Sequence, residues 1–110
     1  MKTRSLRPLP LLAVCALMVM VSSVYATDYT GQDLSGSDFS GGNHVGDVFR
    51  QANLTGVDFR GANLTGASFD RANLTGADFR GANLTGANTF DAVFTGALFD
   101  KTTVFSDGTN

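Results

Sequence analysis

A large residue stands at every fifth position from Leu34 to Val104. The series runs Leu34, Phe39, His44, Phe49, Leu54, Phe59, Leu64, Phe69, Leu74, Phe79, Leu84, Thr89, Phe94, Phe99 and Val104, and only His44 and Thr89 are not Leu, Phe or Val. A period of five fits neither the 3.6-residue repeat of an amphipathic helix nor the two-residue alternation of a half-buried strand. The Gly and β-branched Thr that recur beside it are poor helix formers. Self-similarity at a fixed period is the mark of a solenoid, in which each turn of chain covers the next.

Two residues before each large one, a small residue recurs: Ala52, Ala62, Ala67, Ala72, Ala77, Ala82, Ala87, Ala92 and Ala97, with Val57 the one substitution in that run. A narrow shaft has room for one large and one small inward side chain per side, so a bulkier residue at the second site would overpack it. The remaining positions of each unit must turn the chain through a corner, and the Gly that often closes the unit suits a tight turn.

The units "ANLTG" and "ADFRG" resemble those of the pentapeptide-repeat family: Ala, then Asp or Asn, then Leu or Phe, then two small or polar residues. The likeness runs from residue 31 to 106 and is strongest from 52 to 88. It implies an all-β fold, a right-handed quadrilateral β-helix with four pentapeptides per coil. The fifteen units would make just under four coils, a shaft roughly 19 Å tall at ordinary strand spacing. The core ladder is then Leu34, Phe39, Phe49, Leu54, Phe59, Leu64, Phe69, Leu74, Phe79, Leu84, Phe94 and Phe99, with Val104 closing the series.

The repeat weakens at both ends. His44 falls on a core phase in a degenerate first coil, where a capping or partly exposed place is expected for it. Thr89 breaks the ladder near the other end, where Phe90, Val93, Leu98 and Phe105 put apolar side chains at positions that are otherwise polar. These four form the expected interaction surface. It would be covered by a tail that folds back, by a second copy in an end-to-end dimer, or by another protein.

The first 26 residues read differently. Lys2, Arg4 and Arg7 precede an apolar run over 11–21, and "VYA" follows, the order of a secretory signal peptide cleaved after Ala26. The run is shorter than the roughly 20 residues of a membrane-spanning helix, so no stable membrane anchor is expected after cleavage. The expected organisation is a signal peptide over 1–26, a β-solenoid over 27–106 and a tail over 107–110. The expected place is secreted or periplasmic, or the thylakoid lumen in a cyanobacterium. Cys15 leaves with the leader, so no disulfide supports the remainder.

Residues 27–110 carry ten Asp against Arg50, Arg60, Arg71, Arg80 and Lys101. That balance and the lack of a basic cluster argue against direct nucleic-acid binding. With twenty residues per coil, Asp38, Asp58 and Asp78 stack on one side with Arg60 and Arg80 between them. Some acidic members of the family resemble duplex DNA and inhibit a type II topoisomerase. Here the arginines interrupt the acidic column, so DNA mimicry stands as an alternative.

The opposite sides stack Asn53 and Asn73 with Thr55, Thr75 and Thr95, and Asn63 and Asn83 with Thr65 and Thr85. Such ladders satisfy their own hydrogen bonds and favour β structure; an ice- or polysaccharide-binding wall is the second alternative. The four "NLT" triplets are formal glycosylation sequons that the repeat generates by itself. With one histidine and no spacing typical of a nucleophile with its base, or of a metal cluster, no catalytic, metal or cofactor site is expected. The expectation is a non-catalytic scaffold that presents rigid faces to an unknown protein partner.

Overall fold

The computed structural model describes residues 25–105. Most of the expected leader and the whole of the expected tail, 107–110, lie outside the described residues.

The backbone forms four columns of parallel bridges. Side 1 pairs Asp28, Val48, Ser68 and Asn88; side 2 pairs Asp33, Asn53, Asn73 and Val93; side 3 pairs Asp38, Asp58, Asp78 and Leu98; side 4 pairs Asn43, Asn63, Asn83 and Val104. Up to Leu98, each bridge residue except Asn88 precedes a large residue at the central site, and each is followed by a tight turn. On side 2, for example, the Leu34 N–H donates to the Asn53 carbonyl at 2.8 Å and the Asn53 N–H donates to the Gln32 carbonyl at 2.9 Å, while the Ser37 N–H closes the corner on the Leu34 carbonyl at 3.0 Å. The same three bonds recur around the shaft, so backbone polar groups find partners without a long strand among the described residues.

The interior consists of the five-phase residues. Leu34, Phe39, Phe49, Leu54, Phe59, Leu64, Phe69, Leu74, Phe79 and Leu84 are buried, as are Ala52, Val57, Ala62, Ala67, Ala72, Ala77 and Ala82. Side 1 stacks Tyr29, Phe49 and Phe69 at centroid spacings of 5.0 and 5.1 Å. Side 3 stacks Phe39, Phe59, Phe79 and Phe99 at 5.4, 5.2 and 5.3 Å. The columns meet edge to face across the shaft, Phe49 on Phe59 at 5.7 Å and Phe59 on Phe69 at 5.8 Å, the arrangement that ring quadrupoles favour.

The last rung departs from the expected ladder in two ways. Phe94 is only half-buried and Phe99 is 38 % exposed, because nothing among the described residues stacks on their outer faces. Val104 is not the closing core residue. Asn83 bridges to Val104 across twenty-one positions, one more than the other pairs, so Val104 takes the bridge site and Phe105 the central one. The extra residue is absorbed in the turn at Lys101 and Thr102. Thr103 then fills the small inward site, its hydroxyl donating to the Phe79 carbonyl at 2.9 Å and accepting the Asp100 N–H at 3.1 Å. The Gly81 N–H, which would otherwise meet a carbonyl, donates to Asp100 Oδ1 at 3.2 Å.

Candidate functional site

The outer walls are built from local pairs. Asp or Asn at a bridge position turns its Oδ1 back to the residue two places on. Asn63 accepts the Thr65 N–H at 3.2 Å and its hydroxyl at 2.6 Å. Asn53, Asn73 and Asn83 hold Thr55, Thr75 and Thr85 likewise. These are the Asx turns by which short polar side chains fix a corner. They also use the threonine hydroxyl protons, so the hydroxyl donors of these walls are taken up within each unit.

On side 3 the acidic column is interleaved with arginine. Arg60 reaches Asp58 through Nε at 2.9 Å and Nη2 at 2.7 Å, and Arg80 holds Asp78 through Nε at 2.9 Å and Nη2 at 2.6 Å. Arg60 Nε lies 3.8 Å from Asp78 as well, which links the rungs. The arginine hydrogen bonds hold the carboxyl groups of Asp58 and Asp78 below the ordinary aspartate range, outweighing the opposing effect of burial. On the first rung the hydroxyls of Thr30, Ser35 and Ser40 do the same for Asp28, Asp33 and Asp38.

His44 is not partly exposed. It is buried at the central inward site of side 4, edge-on to Phe39 at 4.9 Å. Its Nδ1 faces Asp47 Oδ2 at 2.9 Å, and Nε2 has no partner in the surrounding core. Sequence reasoning passed over Asp47; its signal was a charged residue at the site where other units have Ala. Among the described residues no group of three or more His, Cys, Asp and Glu is placed to hold a metal, and no helix is long and apolar enough to cross a membrane.

The four residues of the expected interaction surface are all exposed at the C-terminal end: Phe90 at 62 %, Val93 at 46 %, Leu98 at 48 % and Phe105 at 39 %. Of the four, Phe105 lines an open cavity of about 330 Å³ together with Leu84, Ala87, Thr89, Phe94 and Phe99. The cavity lies where a fourth ring would continue the column of Tyr29, Phe49 and Phe69, since Thr89 occupies that place. Among the described residues the backbone N–H groups of Thr89, Phe94 and Phe99 have no partner on a further rung. Among the described residues the end therefore combines apolar surface with donors that no further rung takes up, as an unfinished sheet edge does.

The profile of the family described as pentapeptide repeats matches eight copies over residues 33–70 and 52–88, together just over half of the chain. The chain belongs to the pentapeptide-repeat family, whose fold is the right-handed quadrilateral β-helix. Solved structures similar to it include a pentapeptide-repeat protein of the cyanobacterium Cyanothece 51142, 32 % identical with a TM-score of 0.45 over 71 % of this chain and 60 % of that one. One from the Arabidopsis thaliana thylakoid lumen is 41 % identical with a TM-score of 0.46 over 74 % and 63 %. HetL of Nostoc sp. strain PCC 7120, involved in heterocyst differentiation regulation, is 31 % identical with a TM-score of 0.44 over 74 % and 42 %. The chain thus spans less than two thirds of the length of these relatives. No curated protein matches it.

Proposed function

We propose that this chain is an exported, non-catalytic β-solenoid of just under four coils that offers rigid walls and one apolar end to a protein partner. It works in a periplasm, a thylakoid lumen or the surrounding medium. The carrying observation is a change of chemistry along single columns. Side 3 reads Asp38, Asp58, Asp78 and then Leu98, and side 2 reads Asp33, Asn53, Asn73 and then Val93. Only the last rung turns apolar outward on those sides, and Phe90 and Phe105 flank it. Such a patch on an otherwise polar surface marks an interaction site. Residues 106–110, Ser-Asp-Gly-Thr-Asn, offer no apolar side chain for the cavity; the cover proposed for the end is a second copy or another protein.

Sedimentation velocity with amide hydrogen exchange tests this. A dimer that Leu98→Lys dissociates supports self-association through the end. A monomer whose Thr89, Phe94 and Phe99 amides exchange fast supports an end left open for a different protein. A monomer in which those amides are as protected as Leu64 would contradict it.

The two alternatives fare less well. A duplex mimic needs a continuous negative field, and Arg60 and Arg80 neutralise the column that would supply it. An ice- or sugar-binding wall needs hydroxyls free to engage water or sugar, and those of Thr55, Thr65, Thr75 and Thr85 already donate to asparagine. No inhibition of supercoiling and no thermal hysteresis are the expected results.

A further inference from the structure

Asp47 stands two residues before Phe49, at the small inward site that Ala52 and Ala67 fill before Leu54 and Phe69. It is buried there, and a buried carboxylate is stable only when its oxygens are paired. Oδ2 meets His44 Nδ1 at 2.9 Å. Oδ1 accepts the backbone N–H of Thr27 at 2.8 Å. Thr27 is held on its other side too, its carbonyl accepting the Val48 N–H at 2.8 Å. The bridge columns begin one residue later at Asp28, whereas Tyr25 and Ala26 are exposed. The nitrogen that Asp47 binds is thus the one that cleavage after Ala26 would make the chain's N-terminus.

We propose that Asp47 is the built-in acceptor for the α-ammonium group of Thr27, so that removal of the leader turns a neutral hydrogen bond into a partly buried ion pair that fastens the first coil. The proposal rests on the export reading. The step is a hydrolysis by a processing peptidase. One water is consumed, the Ala26–Thr27 amide bond breaks, Ala26 leaves as a carboxylate and Thr27 becomes an ammonium, charged at neutral pH because α-amines titrate near 8. A charged donor makes a hydrogen bond about twice as strong as a neutral one. Ala at position 47 would satisfy packing as it does in other units. A carboxylate held by His44 and aimed at this one backbone nitrogen has a use that packing does not supply.

Two chains that keep every bridge residue, one starting at Thr27 and one at Tyr25, test it, each with its Asp47→Asn counterpart. The chain that starts at Thr27 is expected to melt about 4 °C higher or more at pH 7 and low salt. The difference should vanish in Asp47→Asn. The Thr27 α-amine should also react with an acetylating ester about tenfold more slowly in the parent than in Asp47→Asn. Should Asp47→Asn not fold, Asp47→Ala replaces it, and the parent in urea serves as the reference for the unprotected amine. Equal melting of the two starts, or a difference that survives loss of the carboxylate, overturns the acceptor role even if Thr27 is the natural first residue. A native chain whose mass places its start elsewhere sinks the export boundary instead.

Discussion

At the scale of residues, the first coil is held by choices that differ from the repeat yet fit one another. Gly42 takes the small inward site of its unit, where Ala is usual, because the His44 ring fills the space a methyl group would need. A Cβ there would collide with His44 Nε2 and come within 3.2 Å of the Phe39 carbonyl oxygen. Gly42→Ala is expected to cost about 1–3 kcal/mol, the usual range for overpacking a core, measurable as a lower urea midpoint; an unchanged midpoint would mean that His44 moves freely. None of this was legible from spacing. Counting by fives put His44 on a core phase and Asp47 on the small inward phase, but the spacing gives no sign that the two side chains meet. The corner between sides 1 and 2 was equally hidden. Gln51, Arg71 and Asp91 have φ of 56°, 58° and 56° there, a conformation that costs an L-residue roughly 1–2 kcal/mol and that Gly31 adopts at the same corner of the first rung.

At the scale of the elements, each column should respond to substitution as a unit. Leu64→Asp puts an unpaired charge at a fully buried position of the side 4 column and is expected to unfold the shaft, whereas Thr65→Ser keeps the hydroxyl that donates to Asn63 and should be nearly silent. Circular dichroism and thermal melts of the two variants decide it, and equal tolerance would contradict the inward and outward assignment. Thr89→Phe should fill the cavity at the end of the Tyr29, Phe49 and Phe69 column and raise stability by about 1 kcal/mol; a lower melting temperature would mean that the cavity is not ring-shaped. The aspartates set the pH response. Asp28, Asp33, Asp38, Asp58, Asp78 and Asp100 all have lowered pKa values in the fold. Their stabilisation is therefore complete above the unfolded value near 4 and is lost as pH falls through the lower folded values. Melting temperature should stay flat with respect to these groups from pH 7 to 5 and fall below about pH 4. The columns were largely legible because period five recurs in the letters. The slip at Lys101 and Thr102 was not, since Val104 and Phe105 are both apolar and a count by fives cannot tell which of them faces inward.

At the scale of the whole molecule, the shaft has two chemically different ends. The first rung is acidic on the outside, with Asp28, Asp33 and Asp38 tied into their own corners, and it is fastened at Thr27. The last rung is apolar on the outside and open on its axis. A stable body between unlike ends suits a part that is held in one orientation against a partner, and Leu98→Lys is expected to disturb that contact without unfolding the shaft, because Leu98 is 48 % exposed. The chemistry of the end was legible in Phe90, Val93, Leu98 and Phe105. Its open cavity was not, because it arises from one missing ring at Thr89 and from the slip that brings Phe105 inward. Which partners the end can meet depends on compartment. The intact mass of the native protein in each cell fraction tests this most directly. A chain beginning at Thr27 and found outside the cytosol is the predicted result; an uncleaved chain in the cytosol would contradict the exported scaffold.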